Sequence, residues 1–267
     1  MLDLEKLDFD NNGFILIRNL LKESEADVLK AAIENCMEMQ IVSQKSTERF
    51  SIGERSAFET LFVWNDVGGS DPFAKATRKK AIFDRLRLFF DDEPYVYHNK
   101  VAAKYPGVEG FRMHQDYYYW YSMGNLYPNM ATVQIAVEAC TPANGCLRVI
   151  PGSHKMGRVD HQVYTGEWDT GIELERLNEI LKVKDVLEIE LNRGDAVLFH
   201  SNLIHGSGDN SSSNSRLTLL GCYNTKMNSP FKRTAAGHPD FFRQSTFEDL
   251  ITSEDLDIKP NFSLKYL

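Results

Sequence analysis

Apolar positions in the first third of the chain recur at helical spacing. After Ser24, the residues Ala26, Leu29, Ile33, Cys36 and Met37 follow an i, i+3, i+4 stripe, one face of a 3.6-residue helix that Ser24 is placed to cap. A second helix is predicted over about Pro72 to Phe90, with Ile82, Leu86, Phe89 and Phe90 on one face. From about Tyr95 the period drops to two. Strands are predicted over Tyr95–Tyr105, Thr132–Val137, Cys146–Ile150, Val186–Leu191, Asp195–His200 and Arg216–Tyr223. Turn signals separate them at Asn144-Gly145, Pro151-Gly152, Arg193-Gly194-Asp195 and the serine-rich stretch 209–215. A helical insertion is predicted over Asp169 to Lys182. Residues 40–71 fit neither period and contain Gly53, Gly68 and Gly69, so a mobile lid or a long surface loop is expected there. Helices first and short strands afterwards indicate an α+β fold, a β-barrel or sandwich with a helical layer on one face.

No internal repeat or long linker interrupts this order. The whole of 1–267 reads as one domain: a helical part over about 1–92, a strand core over about 93–225 and an extension over 226–267. With 42% hydrophobic residues in 267, a core of ample size needs no disulfide or structural metal. Lys and Arg number 30 against 38 Asp and Glu, a balance that argues against nucleic acid as the main partner. No apolar run approaches the ~20 residues of a membrane span, and the acidic start lacks a signal-peptide pattern. None of Cys36, Cys140, Cys146 and Cys222 forms a CxxC pair. A cytoplasmic protein with reduced thiols is expected. Oligomeric state is not legible.

The densest chemistry lies at His114-Gln115-Asp116. In a strand, residues i and i+2 point to the same side, so the imidazole and the carboxylate converge while Gln115 points away. Alone, the triplet reads first as a hydrogen-bonded surface pair. His205 follows 89 residues after Asp116. It is the distant third ligand that a two-histidine, one-carboxylate iron site requires, and such a set leaves open coordination positions. Arg216 lies eleven residues further on. If 209–215 is a hairpin loop, Arg216 lies on the strand pairing with that of His205, where a guanidinium can grip a carboxylate in bidentate fashion. Standing alone, Arg216 reads as a surface arginine. The run Tyr117-Tyr118-Tyr119-Trp120-Tyr121 reads as partly core, with some rings lining a pocket beside the metal. The remaining histidines, His98, His154, His161, His200 and His238, read as non-ligands. His200 is a candidate neighbour of the metal, and His161 is expected to be dispensable for turnover.

Taken together, His114-Gln115-Asp116, the stretch Asn144-Gly145-Cys146-Leu147-Arg148-Val149-Ile150-Pro151-Gly152-Ser153-His154, then His205-Gly206-Ser207 and Arg216 resemble the phytanoyl-CoA dioxygenase family. The opening Phe9-Asp10-Asn11-Asn12-Gly13-Phe14 resembles that family's usual start, and the likeness runs from about Phe9 to Tyr223. The resemblance implies a double-stranded β-helix (jelly-roll) core with flanking helices, and an Fe(II)- and 2-oxoglutarate-dependent oxygenase consuming O2. It implies His114, Asp116 and His205 as catalytic metal ligands and Arg216 as the partner of the oxoglutarate C5 carboxylate. Ser207 supports that carboxylate and Lys100 contacts the cosubstrate, with Gln115 and Thr132 as weaker candidates. It points to Tyr117, Tyr119 and Trp120 as substrate residues. The expected reaction is hydroxylation of a C–H bond of a small polar metabolite. Open alternatives are a lipid or CoA ester as substrate, another oxidative outcome, and a non-catalytic or cupin-type metal-binding relative.

Overall fold

In the computed structural model, residues 2–53, 60–64, 69–164, 169–232, 242–243, 251, 253–257 and 262–265 are described. The amino-terminal part holds α1 (Leu2–Asn12), β1 (Phe14–Ile17), α2 (Glu23–Glu34), α3 (Met37–Ser51), β2 (Thr60–Trp64), α4 (Pro72–Thr77) and α5 (Lys80–Phe90). Then come β3 (Pro94–Lys104), α6 (Asp116–Ser122), β4 (Ala131–Ala136), β5 (Leu147–Val149), β6 (His161–Val163) and β7 (Thr170–Ile172). The core ends with α7 (Leu174–Leu181), β8 (Leu187–Ile189), β9 (Ala196–His200), β10 (His205–Ser207) and β11 (Arg216–Thr225). Two further strands follow, β12 (Phe242–Arg243) and β13 (Phe262–Lys265).

The strands form two main antiparallel layers. The larger runs β1-β9-β4-β11-β3-β2-β13, with β12 also on β3; the smaller runs β10-β5-β8. The segment before α6 extends the smaller sheet. Ser207 N donates to Phe111 O, and His114 and His205 exchange both backbone bonds at 2.8 and 2.9 Å. The double-stranded β-helix is thus β9-β4-β11-β3 against the His114 segment, β10, β5 and β8.

Strand alternation divides two environments across the larger sheet. Val133 and Ile135 of β4, Ala196 and Leu198 of β9, Leu217 and Leu219 of β11 and Val101 and Ala103 of β3 point outward. There they pack with Ala26, Leu29 and Ile33 of α2 and Phe83 and Leu86 of α5. Full burial of such a Leu or Phe side chain contributes about 1.5–3 kcal/mol. The opposite face looks toward the smaller sheet, where Ala136, Val197 and Phe199 meet Leu147, Val149 and Ile189. Both faces of β4 are buried, so its Ala-Thr-Val-Gln-Ile-Ala sequence places Thr132 and Gln134 inside the β-helix.

Several local expectations are revised. Helix α2 starts at Glu23, one residue before Ser24, because the Glu25 carboxylate accepts the Lys22 backbone N–H at 2.9 Å. It ends at Glu34, and Met37 opens α3. The single helix expected over Pro72–Phe90 is two. Asp71 caps the first through Phe73 N and Ala74 N. Lys79 is extended (ψ 136°) between them, with its ammonium on the buried Glu25 at 2.6 Å. Residues 40–71 carry the rest of α3 and β2 instead of a continuous loop; the part of the lid expectation at 54–59 and 65–68 lies outside the described residues. The insertion at 169–182 begins as strand β7, which pairs with β6, before α7. No helix of the described residues is long and apolar enough to cross a membrane.

Candidate metal centre and cosubstrate wall

His114, Asp116 and His205 converge, each offering one ligand atom within 4.8 Å of the other two. Asp116 Oδ1 stands 3.9 Å from Nε2 of both histidines. The backbone explains the convergence. Gln115 is extended (φ −118°, ψ 130°), so its neighbours share a side, as alternation predicts. Asp116 is not on a strand, however; it is the first residue of α6, whose N-terminal dipole favours a carboxylate. His205 opens β10 beside His114.

Each histidine is oriented by its own chain. His114 Nδ1 bonds Arg112 O at 2.8 Å and His205 Nδ1 bonds Leu203 O at 2.9 Å. A carbonyl only accepts, so Nδ1 carries the proton in both rings and Nε2 presents its lone pair to the site. Burial and the neighbouring His205 push His114 down to about 3, which keeps it a neutral ligand. Burial alone would raise the Asp116 carboxyl. The neighbouring His205, Lys100 and His114 and the hydrogen bond from Thr132 outweigh it and hold the carboxyl below its ordinary value. Thr132 Oγ1 donates to Asp116 Oδ2 at 2.6 Å. Two imidazoles and a carboxylate with this spacing fit Fe(II). The nearby Cys222 thiol, raised by burial to about 12, stays protonated.

A polar wall continues from the metal end along the inner face of the larger sheet. In register across β4, β11 and β3 lie Thr132, Cys222 and His98, then Gln134, Leu220 and Lys100, then Ala136, Thr218 and Ala102; Arg216 pairs with Lys104 beyond them. Gln134 and Thr218 are buried, and Gln134 Nε2 and Thr218 Oγ1 have no hydrogen-bond partner among the described residues. Burying a polar group unpaired costs free energy, so these atoms fit a wall that receives a polar molecule. At the far end Arg216 is buried and its guanidinium donates to Gly145 O. Lys104, fully buried, donates to Ser207 Oγ and to Gly208 O, both at 2.7 Å. Two cations and a hydroxyl at one end suit a dianion whose other end reaches the metal.

The family described as "Phytanoyl-CoA dioxygenase (PhyH)" matches residues 9–218. The chain belongs to this family. A phytanoyl-CoA dioxygenase of Arabidopsis thaliana is 37% identical over 247 residues, covering 79% of this chain and 85% of that protein. An ectoine dioxygenase of Streptomyces anulatus is 27% identical over 259 residues, covering 90% and 84%. Among solved structures, EctD from S. alaskensis with 2-oxoglutarate and 5-hydroxyectoine superposes with a TM-score of 0.68 at 21% identity, covering 93% of this chain and 85% of that one. The epimerase SnoN with Fe3+, alpha ketoglutarate and nogalamycin RO gives 0.66 at 16%, covering 90% and 89%. The chain is therefore a 2-oxoglutarate-dependent oxygenase with a jelly-roll core, and its His–Asp–His set fits Fe(II) binding.

The other residues singled out from the sequence fall in different places. Arg216 is not on a strand that pairs with β10. β10 pairs with β5, and β11 with β3 and β4, because 208–215 crosses between the layers instead of closing a hairpin. Ser207 Oγ also accepts Phe111 N at 2.9 Å. Lys100 is half-buried and acts electrostatically on Asp116. Gln115 turns its amide away from the site, to Gly157 O, Asn202 O and Val159 N. The aromatic run is helix α6, so its rings spread by helical geometry. Tyr117 is buried with its hydroxyl on Leu126 O. Trp120 packs with Tyr95, Tyr97 and Met130 and meets the edge of His98. Tyr119 meets the candidate metal centre, edge-on to His114 at 6.1 Å. Among the remaining histidines, His200 lies against Phe9, Phe90 and His154, and His238 is outside the described residues. Lys104, Gln134 and Thr218 were missed. The available signal was a polar residue at every second position of apolar strands.

Proposed function

We propose that the protein hydroxylates a C–H bond of a small, polar, free metabolite, with His114, Asp116 and His205 holding Fe(II) and Arg216 and Ser207 holding the distal carboxylate of 2-oxoglutarate. The observation that carries this reading is the continuous inner face from Thr132 at the metal end through Gln134 and Thr218 to Arg216 and Lys104. When bound, iron would activate O2, the oxidant, with 2-oxoglutarate as the co-reductant that leaves as succinate and CO2; one oxygen atom would go to the succinate and the other to the substrate C–H bond. The chain does the rest. Thr132 fixes the carboxylate ligand, the two Nδ1–H bonds fix the imidazoles, and the sheet-lined interior keeps water away. Asp116 as ligand favours hydroxylation over halogenation, which needs a small residue there. It also separates the site from cupins with a second histidine at that position.

A CoA ester is the second reading, favoured by the 37% identity to the Arabidopsis phytanoyl-CoA dioxygenase. The basic stretch that would receive CoA phosphates is occupied internally, which supports the free metabolite. Lys79 pairs with Glu25 at 2.6 Å, Lys80 with Asp84, Arg85 with Glu5 at 2.7 Å and Arg87 with Glu93 at 3.0 Å. Four free cysteines, three of them buried, support a reducing, cytoplasmic setting.

The test is an anaerobic titration of apo-protein with Fe(II) and 2-oxoglutarate, following the visible metal-to-cosubstrate charge-transfer band. The reading expects the band in wild type and its loss in Arg216→Ala at equal cosubstrate. Iron binding without a band in wild type overturns it. Succinate release is then screened with amines, amino acids, phosphonates and acyl-CoAs; stimulation by acyl-CoA alone selects the second reading.

A further inference from the structure

Between the two ligands His114 and Asp116 sits Gln115, fully buried and pointing away from the metal. Its Nε2 donates to Asn202 O at 2.7 Å and to Gly157 O at 2.8 Å; its Oε1 accepts Val159 N at 2.8 Å. One side chain therefore ties the His114–Asp116 segment to the stretch 157–159 and to the segment that leads into His205. The ligand segment is also held through its backbone. Gln115 N donates to His161 Nε2 at 2.9 Å, and Ile172 N donates to Met113 O at 2.9 Å. These two bonds lie just after and just before His114, and they come from the two strands of one hairpin, β6–β7. Gly171 permits the approach, since a Cβ there would stand 2.9 Å from Arg112 Cβ.

His161 suits this role in its tautomer and its seat. Nε2 accepts from Gln115, so Nδ1 carries the proton and donates to Val159 O at 3.0 Å. The ring stacks on Tyr118 at 4.1 Å and 13°. Tyr118 belongs to α6, the helix that Asp116 opens, so the imidazole braces both the peptide between the ligands and the helix carrying one of them.

We propose that Gln115 and His161 are positioning residues for the iron site: through the β6–β7 hairpin they set the separation and orientation of His114 and Asp116 without touching the metal. The inference rests on the metal-site reading above. A defect of this kind weakens and distorts metal binding. At saturating iron, turnover persists.

The experiment titrates apo-protein anaerobically with Co(II), reading both affinity and the d–d absorption that reports ligand geometry. His161→Phe keeps the stacking on Tyr118 and removes the acceptor. Its dissociation constant should rise about 10–100-fold, as loss of a group orienting a metal ligand typically does, with an altered spectrum. His161→Gln returns an acceptor near the Nε2 position and should restore both readouts. His161→Leu takes the place of the Phe variant if that protein does not fold. Wild-type affinity and spectrum in the Phe or Leu protein overturn the inference, as does a Gln variant as defective as the Phe variant. Failure of wild type itself to bind Co(II) would instead strike the metal-site reading.

Discussion

Thr132→Val isolates one hydrogen bond at the metal ligand. The change keeps shape and volume and removes a hydroxyl that donates to Asp116 Oδ2 at 2.6 Å, within the range of a charge-assisted O–H···O⁻ bond. Asp116 is largely enclosed, so its oxygen would lose a donor that water replaces poorly. Hydrogen bonds to charged groups contribute about 1.5–3 kcal/mol, and each ~1.4 kcal/mol is a factor of ten in affinity. The chain of effects has a definite sign. Without the donor, the Asp116 carboxyl titrates higher, its orientation loosens, and Fe(II) or Mn(II) affinity falls by about one to two orders of magnitude. Thr132→Ser retains the hydroxyl and should stay near wild type. Calorimetric titration of apo-protein with Mn(II) gives the affinities. Wild-type affinity in Thr132→Val, or a serine variant as weak as the valine one, would refute the reasoning.

Other perturbations test other parts of the fold. Burial and the nearby His154 push His200 down to about 3. An unfolded histidine titrates near ~6.5, so the unfolded chain takes up the proton first, and stability present at pH 7 is lost as pH falls from there toward 3. At pH 5 this amounts to at most about 2 kcal/mol. His200→Asn keeps an acceptor for Asn202 N, now 3.0 Å from Nδ1, and removes the titration. Urea unfolding at pH 7 and pH 5 should show a smaller acid loss in the variant, and equal losses would contradict the assignment. Gly145 has φ +75°, and a Cβ there would stand 2.3 Å from Gly208 O. Gly145→Ala should cost more than about 1 kcal/mol by thermal unfolding. It should also weaken 2-oxoglutarate binding, because Gly145 O receives the Arg216 guanidinium; wild-type values for both would show that the turn adapts freely.

Much of the metal site was legible before any coordinates. The i, i+2 relation of His114 and Asp116 depends only on one extended residue between them, and Gln115 supplies it. The order and chemistry of His205, Ser207 and Arg216 could be read in line. The partners of those residues could not. Arg216 was expected beside the His205 strand, yet the intervening loop crosses from one layer to the other. Nothing in a serine-rich loop distinguishes a hairpin from a crossover of equal length. The aromatic run was read with strand alternation because it follows a strand-like triplet; its helical geometry buries Tyr117 and Trp120 and leaves Tyr119 beside His114. The bond between His161 and the Gln115 backbone joins residues 46 apart and leaves no local trace.

Alternation along β3, β4 and β11 determined which residues share a face, since it follows from backbone geometry within a few residues. Residue chemistry likewise determined that two imidazoles and a carboxylate were available for a metal. Tertiary structure decided which face looked where. Helices α2 and α5 took the apolar side of the larger sheet, so Thr132, Gln134, Thr218, Arg216 and Lys104 were turned toward the second sheet. In a half-solvated sheet the same pattern would place those polar residues in water. They line a buried inner face because distant segments, brought together by packing and loop closure, cover both sides.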